Sequence, residues 1–104
     1  MIRVNYFRSG DRHRLAVEGH AGYDKHGKDI VCAGVSAITN TLLAYLHSIN
    51  TNLSEASASS GSVSIDCTGG EKVEAAFDMA VTGYINLSHQ YPQYVVTYIA
   101  SQGS

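Results

Sequence analysis

The chain has 104 residues, a formal net charge of −2 and 44% hydrophobic residues, with only 15% charged residues. This composition is typical of a globular domain and excludes a disordered chain, and it lacks the strong basic excess typical of a nucleic-acid-binding protein. Residues 1–8 are too short and too polar for a secretory signal, and we expect no membrane-spanning segment. The sequence therefore predicts a single domain, residues 1–104, in the cytoplasm.

The first half of the chain predicts a β-hairpin followed by a long helix. Residues 2–8 and 13–19 alternate between apolar and polar side chains, as strands do, and turn-forming residues 9–11 separate them. Residues 30–49 change to the period of a helix, and Asp29 is placed to cap its first turn. Two asparagines, at positions 50 and 52, are expected to end it. The predicted apolar stripe of the helix consists of Val31, Val35, Ile38, Leu42, Tyr45 and Ile49.

The second half predicts a hairpin, a second helix and a last strand. Residues 53–58 and 62–67 are interpreted as strands joined at Ser60-Gly61. Residues 68–71 have the spacing of a capping box, and the chain's single proline ends the helix that follows. Residues 93–100 are rich in β-branched and aromatic side chains and predict the final strand. The second helix's stripe is Val73, Phe77, Ala80, Tyr84 and Leu87.

The predicted order is therefore β-β-α-β-β-α-β. Two helices with one apolar stripe each, and strands with one apolar face, indicate an α+β fold in which a mostly antiparallel sheet packs with two helices in a single layered domain. The pattern does not give the order of the strands or the face on which each helix lies.

Cys32 and His20 are the candidate catalytic residues. Cys32 falls in the first turn of the predicted helix, at the flank of the apolar stripe, where free backbone N–H groups and the helix dipole favour a thiolate. His20 ends the preceding strand, and the loop between them is long enough to bring the two side chains together. A thiolate attacks a carbonyl carbon and an imidazole protonates the leaving amine, so the pair predicts acyl transfer. Backbone N–H groups near Cys32 are the predicted oxyanion donors.

Neighbouring residues are predicted to support this pair. Asp29 either orients the imidazole or only caps the helix, and Ser36 lies one turn beyond Cys32 on the same flank. Gly22 and Gly27 allow the loop to bend. Gly34 is expected to leave space beside the thiol.

Structural roles compete with these interpretations. A cysteine beside an apolar helix face is commonly a core residue, and Cys67 continues a strand face and is interpreted as packed. A metal site built from His20, His26 and Cys32 matches no established ligand spacing, so no metal or other cofactor is predicted. The remaining histidines are assigned to polar faces without a role: His13, His47 and His89.

The segments GHA at residues 19–21 and GKDIVCAGVSA at residues 27–37 resemble the motif of the ribosomal-processing cysteine proteases, the Prp family. The resemblance implies a cysteine endopeptidase that removes the N-terminal extension of a large-subunit ribosomal protein during ribosome assembly. It also implies that His20 and Cys32 form the catalytic dyad, that Asp29 and Ser36 support it, and that the protein is a homodimer with a mobile loop between the dyad residues. Neither membrane nor direct nucleic-acid binding is expected.

The alternative hypothesis is a non-enzymatic module that binds the ribosome or dimerises. It depends on the arginines at positions 3, 8, 12 and 14 and on the tyrosine-rich C-terminal strand. The net charge of −2 argues against it.

Overall fold

The computed structural model describes residues 1–25, 28–49, 51–59 and 61–102. The predicted β-β-α-β-β-α-β order and the α+β fold class are confirmed. The elements are β1 Ile2–Ser9, β2 Arg12–Glu18, α1 Ile30–Ser48, β3 Asn52–Ser59, β4 Ser62–Thr68, α2 Glu71–Gln90 and β5 Val95–Gln102.

The sheet has five strands in the order β3-β4-β2-β1-β5. Strand β5 runs parallel to β1, and the other neighbouring pairs are antiparallel. The end of β2 lies beside the start of β4, because Glu18 pairs with Ser62. This register brings the segment after β2 next to Gly61, which directly precedes β4, and a cleft forms there.

One face of the sheet packs against the helices. Along β1 the side chains of Ile2, Val4 and Tyr6 are buried while Arg3 and Asn5 between them are exposed. The buried side chains of β1, β2, β4 and both helices form one apolar core. The two helices therefore cover a single face, and burial of that face is the main force that holds the layers together.

The buried stripe of α1 differs from the predicted one. Tyr45 is 41% exposed, whereas Thr39 and Leu46 are buried in its place. The hydroxyl of Thr39 is 2.6 Å from the hydroxyl of Tyr84 and donates to the carbonyl oxygen of Val35. A threonine breaks an apolar pattern in the sequence, but it is accommodated here because its hydroxyl is satisfied. The buried residues of α1 are Val31, Val35, Thr39, Leu42 and Leu46.

Helix α1, with 19 residues, is long and apolar enough to cross a membrane by length and composition alone, since a window of 18 of its residues has a mean hydropathy of 1.5. The expectation that the chain has no segment of that kind is therefore wrong at the level of composition. The apolar side chains of α1 have another use in this fold, since they pack against the sheet and α2.

The end of α1 and the start of α2 differ in detail from the prediction. Helix α1 ends at Ser48, Asn50 lies outside the described residues, and Asn52 begins β3. Helix α2 has Gly70 as its N-cap, with no side-chain capping bond. The predicted capping box is wrong because Thr68 still belongs to β4 and Glu71 is the first helical residue, too early to bond back to a cap.

His13 is a core residue and not, as predicted, a residue of a polar face. It is fully buried, because it shares the inward face of β2 with Leu15. Its Nδ1 lies 2.6 Å from the hydroxyl of Tyr6, and its ring stacks on Phe77 with centroids 4.8 Å apart. Among the described residues nothing bonds to its Nε2. Burial, followed by the charge of Arg8, lowers the pKa of His13.

Candidate active site

Asp29 caps α1, as the sequence predicts. Its Oδ1 accepts hydrogen bonds from the backbone N–H groups of Val31 and Cys32, at 3.0 and 2.9 Å. Cys32 therefore lies in the first turn of the helix, and its side chain is half-buried. The cap fixes the backbone of the residue that carries the thiol.

The second oxygen of Asp29 holds the loop that precedes the helix. Oδ2 accepts from the N–H groups of Tyr23 at 3.0 Å and Asp24 at 3.4 Å. Burial raises the pKa of Asp29, but hydrogen bonds from the backbone N–H groups of Cys32, Tyr23 and Asp24 and from the Cys32 side chain outweigh it and leave this pKa below its ordinary value. In the described segments no hydrogen bond joins this carboxylate to His20, so Asp29 caps and anchors and does not orient the imidazole here.

The sulfur of Cys32 is tied to the segment that carries the histidine. The backbone N–H of Ala21 donates to Sγ over 3.3 Å, and Ala21 directly follows His20 in the chain. A backbone donor at this position stabilises negative charge on the sulfur. The N–H groups expected from the helix start are occupied, since Asp29 accepts from residues 31, 32 and 33. The sequence analysis predicts oxyanion donors near Cys32, and these three groups are not free for that role in this structure.

His20 lies just beyond β2 and is exposed. The residue before it, Gly19, has φ +98° and donates its N–H to the carbonyl oxygen of Gly61 over 2.8 Å. The carbonyl oxygen of His20 accepts from the ammonium nitrogen of Met1 over 2.6 Å. Backbone hydrogen bonds thus hold this segment on two sides. Within the described part of the chain, no hydrogen bond links the imidazole to Sγ of Cys32.

A cleft of about 650 Å³ contains both candidate catalytic residues. The polar residues that line it include His20, Asp29, Cys32, Ser36 and Asn40, and Gly22 lines it as well. Apolar side chains also line it, among them Ile2, Val17, Val35 and Val63. The structure therefore brings together the predicted site residues, apart from Gly27, which lies outside the described residues together with His26.

The supporting residues have different positions in this cleft. Ser36 is exposed and faces the cleft one turn after Cys32. Gly22 has φ +70°, which suits the predicted bend in the loop. Gly34 does not border the thiol as expected, because a Cβ on it would meet Leu87 of α2 at 3.4 Å. Gly34 therefore serves the packing of the two helices.

Two features of the cleft were missed by the sequence analysis. Gly61 lies against His20, although the two residues are far apart in sequence, and only the pairing of β2 with β4 brings them together. Tyr23 anchors the loop through edge-on contacts with the rings of Tyr91 and Tyr94, at 5.7 and 5.2 Å between centroids. For metal binding, the described ranges hold no cluster of three histidine, cysteine or acidic residues.

The other thiol is confirmed as a core residue. Cys67 is 1% exposed in β4, and its sulfur lies 3.1 Å from the hydroxyl of Thr51. A half-buried thiol at a helix start, with an imidazole in the same cleft, is the arrangement of a thiol hydrolase.

Comparison with known proteins defines the class further. The family model described as cysteine protease Prp matches residues 1–96. The ribosomal processing cysteine protease Prp of Mycoplasma pneumoniae is 31% identical over 84 residues, which cover 80% of this chain and 83% of that protein. The Bacillus subtilis protein of the same name is 48% identical over 40 residues, a match that spans 36% of each chain. The chain belongs to the cysteine protease Prp family.

Solved structures share the fold. SMU.848 from Streptococcus mutans is 27% identical, with a TM-score of 0.80 over 98% of this chain and 96% of its own. The ribosomal processing protease Prp from S. aureus, crystallised with a covalently linked product peptide, has a TM-score of 0.87 at 17% identity, over 95% of this chain and 99% of its own. The latter likeness concerns the fold alone.

Proposed function

We propose that this chain is a cytoplasmic endopeptidase that removes the N-terminal extension of a large-subunit ribosomal protein during ribosome assembly. The observation that carries the proposal is the cleft in which Cys32, at the capped start of α1, and His20 face the same space. Family membership supports it, because the relatives in M. pneumoniae and B. subtilis are named ribosomal processing proteases. A cleft open to solvent also suits an extended peptide substrate.

The proposed chemistry is nucleophilic acyl transfer. His20 takes the thiol proton, and Sγ of Cys32 attacks the scissile carbonyl carbon to form a tetrahedral intermediate. The carbon–nitrogen bond then breaks, and the imidazolium gives its proton to the leaving amine. Water activated by His20 hydrolyses the resulting thioester and restores the thiol. The exposed side chain of His20 rotates, so the imidazole reaches the sulfur transiently in the free protein. The contact tightens when substrate binds, since catalytic hydrogen bonds are often poorly aligned until the Michaelis complex forms.

We assign the oxyanion contact to the N–H of Ala21. It already points at Sγ over 3.3 Å, whereas the N–H groups of residues 31–33 are committed to Asp29. Charge that develops on the substrate oxygen arises next to the sulfur, where a preorganised donor contributes most.

Cleavage of a purified precursor tests the proposal. Wild-type protein is incubated with the extended ribosomal protein, and mass spectrometry measures the trimmed N-terminus. Cys32→Ser is expected to lower the rate at least ~10³-fold, because the hydroxyl is a much weaker nucleophile in this setting. Cys67→Ser is the matched control and retains cleavage, since Cys67 is buried away from the cleft. Unchanged cleavage by Cys32→Ser would remove the nucleophile assignment.

The proposal includes a homodimer. An apolar groove between α1 and α2 supports it, with Met79 78% exposed and Tyr45 41% exposed. Light scattering of Met79→Lys, compared with wild type, tests this surface. A shift from dimer to monomer is expected, and a wild-type monomer contradicts the proposal.

The alternative is a ribosome-binding module without catalysis. The ion pairs of the arginines argue against it. Arg8 pairs with Glu74 at 3.0 Å, and Arg12 and Arg14 both pair with Asp66, at 2.6 and 3.6 Å. These partners offset much of the positive charge that phosphate binding requires.

A further inference from the structure

We propose that Gly61, which directly precedes β4, is a positioning residue for the imidazole of His20 and so forms part of the wall of the active site. This inference rests on the proposed function, in which His20 exchanges protons with Cys32 and the substrate. It adds a segment that lies some forty residues beyond His20 in the chain.

The backbone of Gly61 first fixes the segment that carries the histidine. Its carbonyl oxygen accepts the N–H of Gly19, the residue before His20, over 2.8 Å. This bond continues the pairing of β2 with β4, which ends at Glu18 and Ser62. The backbone of the segment that carries the imidazole is therefore held by Gly61.

The missing side chain of Gly61 then makes room for the ring. A Cβ at this position would lie 2.8 Å from both Cε1 and Nε2 of His20, and 3.2 Å from the carbonyl oxygen of Gly19. Non-bonded carbon atoms prefer about 3.5–4.0 Å, so a methyl group would displace the imidazole. The ring is the movable partner, because the side chain of His20 rotates and the backbone around it is paired.

The contact between Gly61 and His20 lies in the active-site cleft, so a displaced imidazole would affect proton transfer. Gly61 and His20 line the same cleft as Cys32, and Val63, two residues after Gly61, contributes to its apolar wall. An imidazole pushed from the turn moves relative to the sulfur. A misplacement of about 1 Å in a proton-transfer group lowers the rate on the order of 10²-fold.

The chain offers a matched control for backbone strain. Gly61 has φ +86°, a conformation that L side chains rarely adopt, so Gly61→Ala strains the turn as well as crowding the ring. Gly10, in the turn between β1 and β2, has φ +57°, and a Cβ there meets nothing within 4 Å. Gly10→Ala thus introduces left-handed strain without any new contact.

The test measures kcat and KM for cleavage of the precursor by wild type, Gly61→Ala and Gly10→Ala. We expect kcat of Gly61→Ala to fall about 10²-fold with KM within about twofold of wild type, while Gly10→Ala stays within about twofold in both. Gly61→Asn is the second variant, because asparagine tolerates positive φ yet carries the Cβ. It is expected to match Gly61→Ala in kcat with a more stable fold.

A double-mutant cycle separates action through His20 from a structural role. The rate at which iodoacetamide alkylates Cys32 is measured for Gly61→Ala alone and in a His20→Ala background. If Gly61 acts through the imidazole, Gly61→Ala slows alkylation in the first case and leaves it unchanged in the second. Equal slowing in both backgrounds, or a kcat equal to that of Gly10→Ala, overturns the inference. If iodoacetamide alkylates Cys32 of the wild type rapidly but the wild type does not cleave the precursor, the proposed function is overturned instead.

Discussion

The two cysteines of this chain show how the surroundings of a thiol decide its use. Cys67 lies in β4, between β3 and β2, and is 1% exposed, with the hydroxyl of Thr51 against its sulfur. Cys32 is half-buried at the start of α1, receives the N–H of Ala21 on its sulfur and faces a cleft that also contains His20. Side chains in a strand alternate between the two faces of the sheet, so Cys67 points into the core. A thiol at the start of a helix, on the flank of its buried face, stays accessible.

The largest expected difference between the two thiols is their rate of alkylation. Iodoacetamide is predicted to modify Cys32 on the order of 10³-fold faster than Cys67 in the native protein, because Cys67 reacts only when the core opens. Peptide mapping by mass spectrometry measures both rates in one sample. In denaturant the two rates should become similar, which is the internal control. Comparable rates in the folded protein would contradict the distinction between a reactive and a packed thiol.

Removal of the cap tests what holds Cys32 in place. Asp29→Ala is expected to lower the free energy of unfolding by about 2 kcal/mol, because four backbone N–H groups lose their acceptor. Asp29→Asn keeps an oxygen for the cap and loses the acceptor for the N–H groups of Tyr23 and Asp24, so about half that loss is expected. Chemical denaturation measures both, and equal stability of all three proteins would show that the cap is dispensable.

The pH dependence of this cap has a definite sign. The folded pKa of Asp29 lies below its ordinary value of 3.8, so its contribution to stability is present above that pH and is lost as the pH falls through the lower, folded pKa. Asp29→Asn removes this part of the acid transition, which thermal melting between neutral and acidic pH detects.

A smaller effect on stability is expected near Cys67, from His13. This histidine in β2 lies opposite Cys67 in β4. Because the folded pKa of His13 lies below 6.5, the unfolded chain binds a proton first, and stability falls as the pH decreases below about 6.5. His13→Gln should reduce the dependence of the melting temperature on pH. Thermal melts between about pH 5 and about pH 7.5, roughly one unit on either side of 6.5, measure this dependence. A slope that survives the substitution excludes His13 as its source. The charged and titratable groups around His13 are Tyr6, Arg8, Asp11, Glu74 and Asp78.

Local patterns predicted the elements well, and one error came from applying them incompletely. The alternation that placed Leu15 and Val17 inside also places His13 inside, since the three share a strand face. The polar character of histidine obscured this. Thr39 was missed for a different reason: only the hydroxyl of Tyr84, on another helix, makes its burial favourable.

The site was predictable where chemistry is local and unpredictable where it depends on strand pairing. Asp29 and Cys32 lie within one turn of helix, so the cap and the position of the thiol followed from spacing. The contact of Gly61 with His20 depends on β4 pairing with β2, and no local pattern contains that register. The same holds for the N–H of Ala21, whose direction depends on how the loop returns to α1.

The covalent intermediate gives the most direct test of the account. A peptide that contains the cleavage junction of the proposed precursor substrate is mixed with the protein, the reaction is quenched in acid within its first turnover, and Cys32 is examined by mass spectrometry. The account predicts a thioester on Cys32 whose added mass equals the N-terminal fragment less one water, absent in Cys32→Ser and reduced in His20→Ala. Cleavage that proceeds with no adduct on Cys32, or with an adduct on another residue, would contradict it.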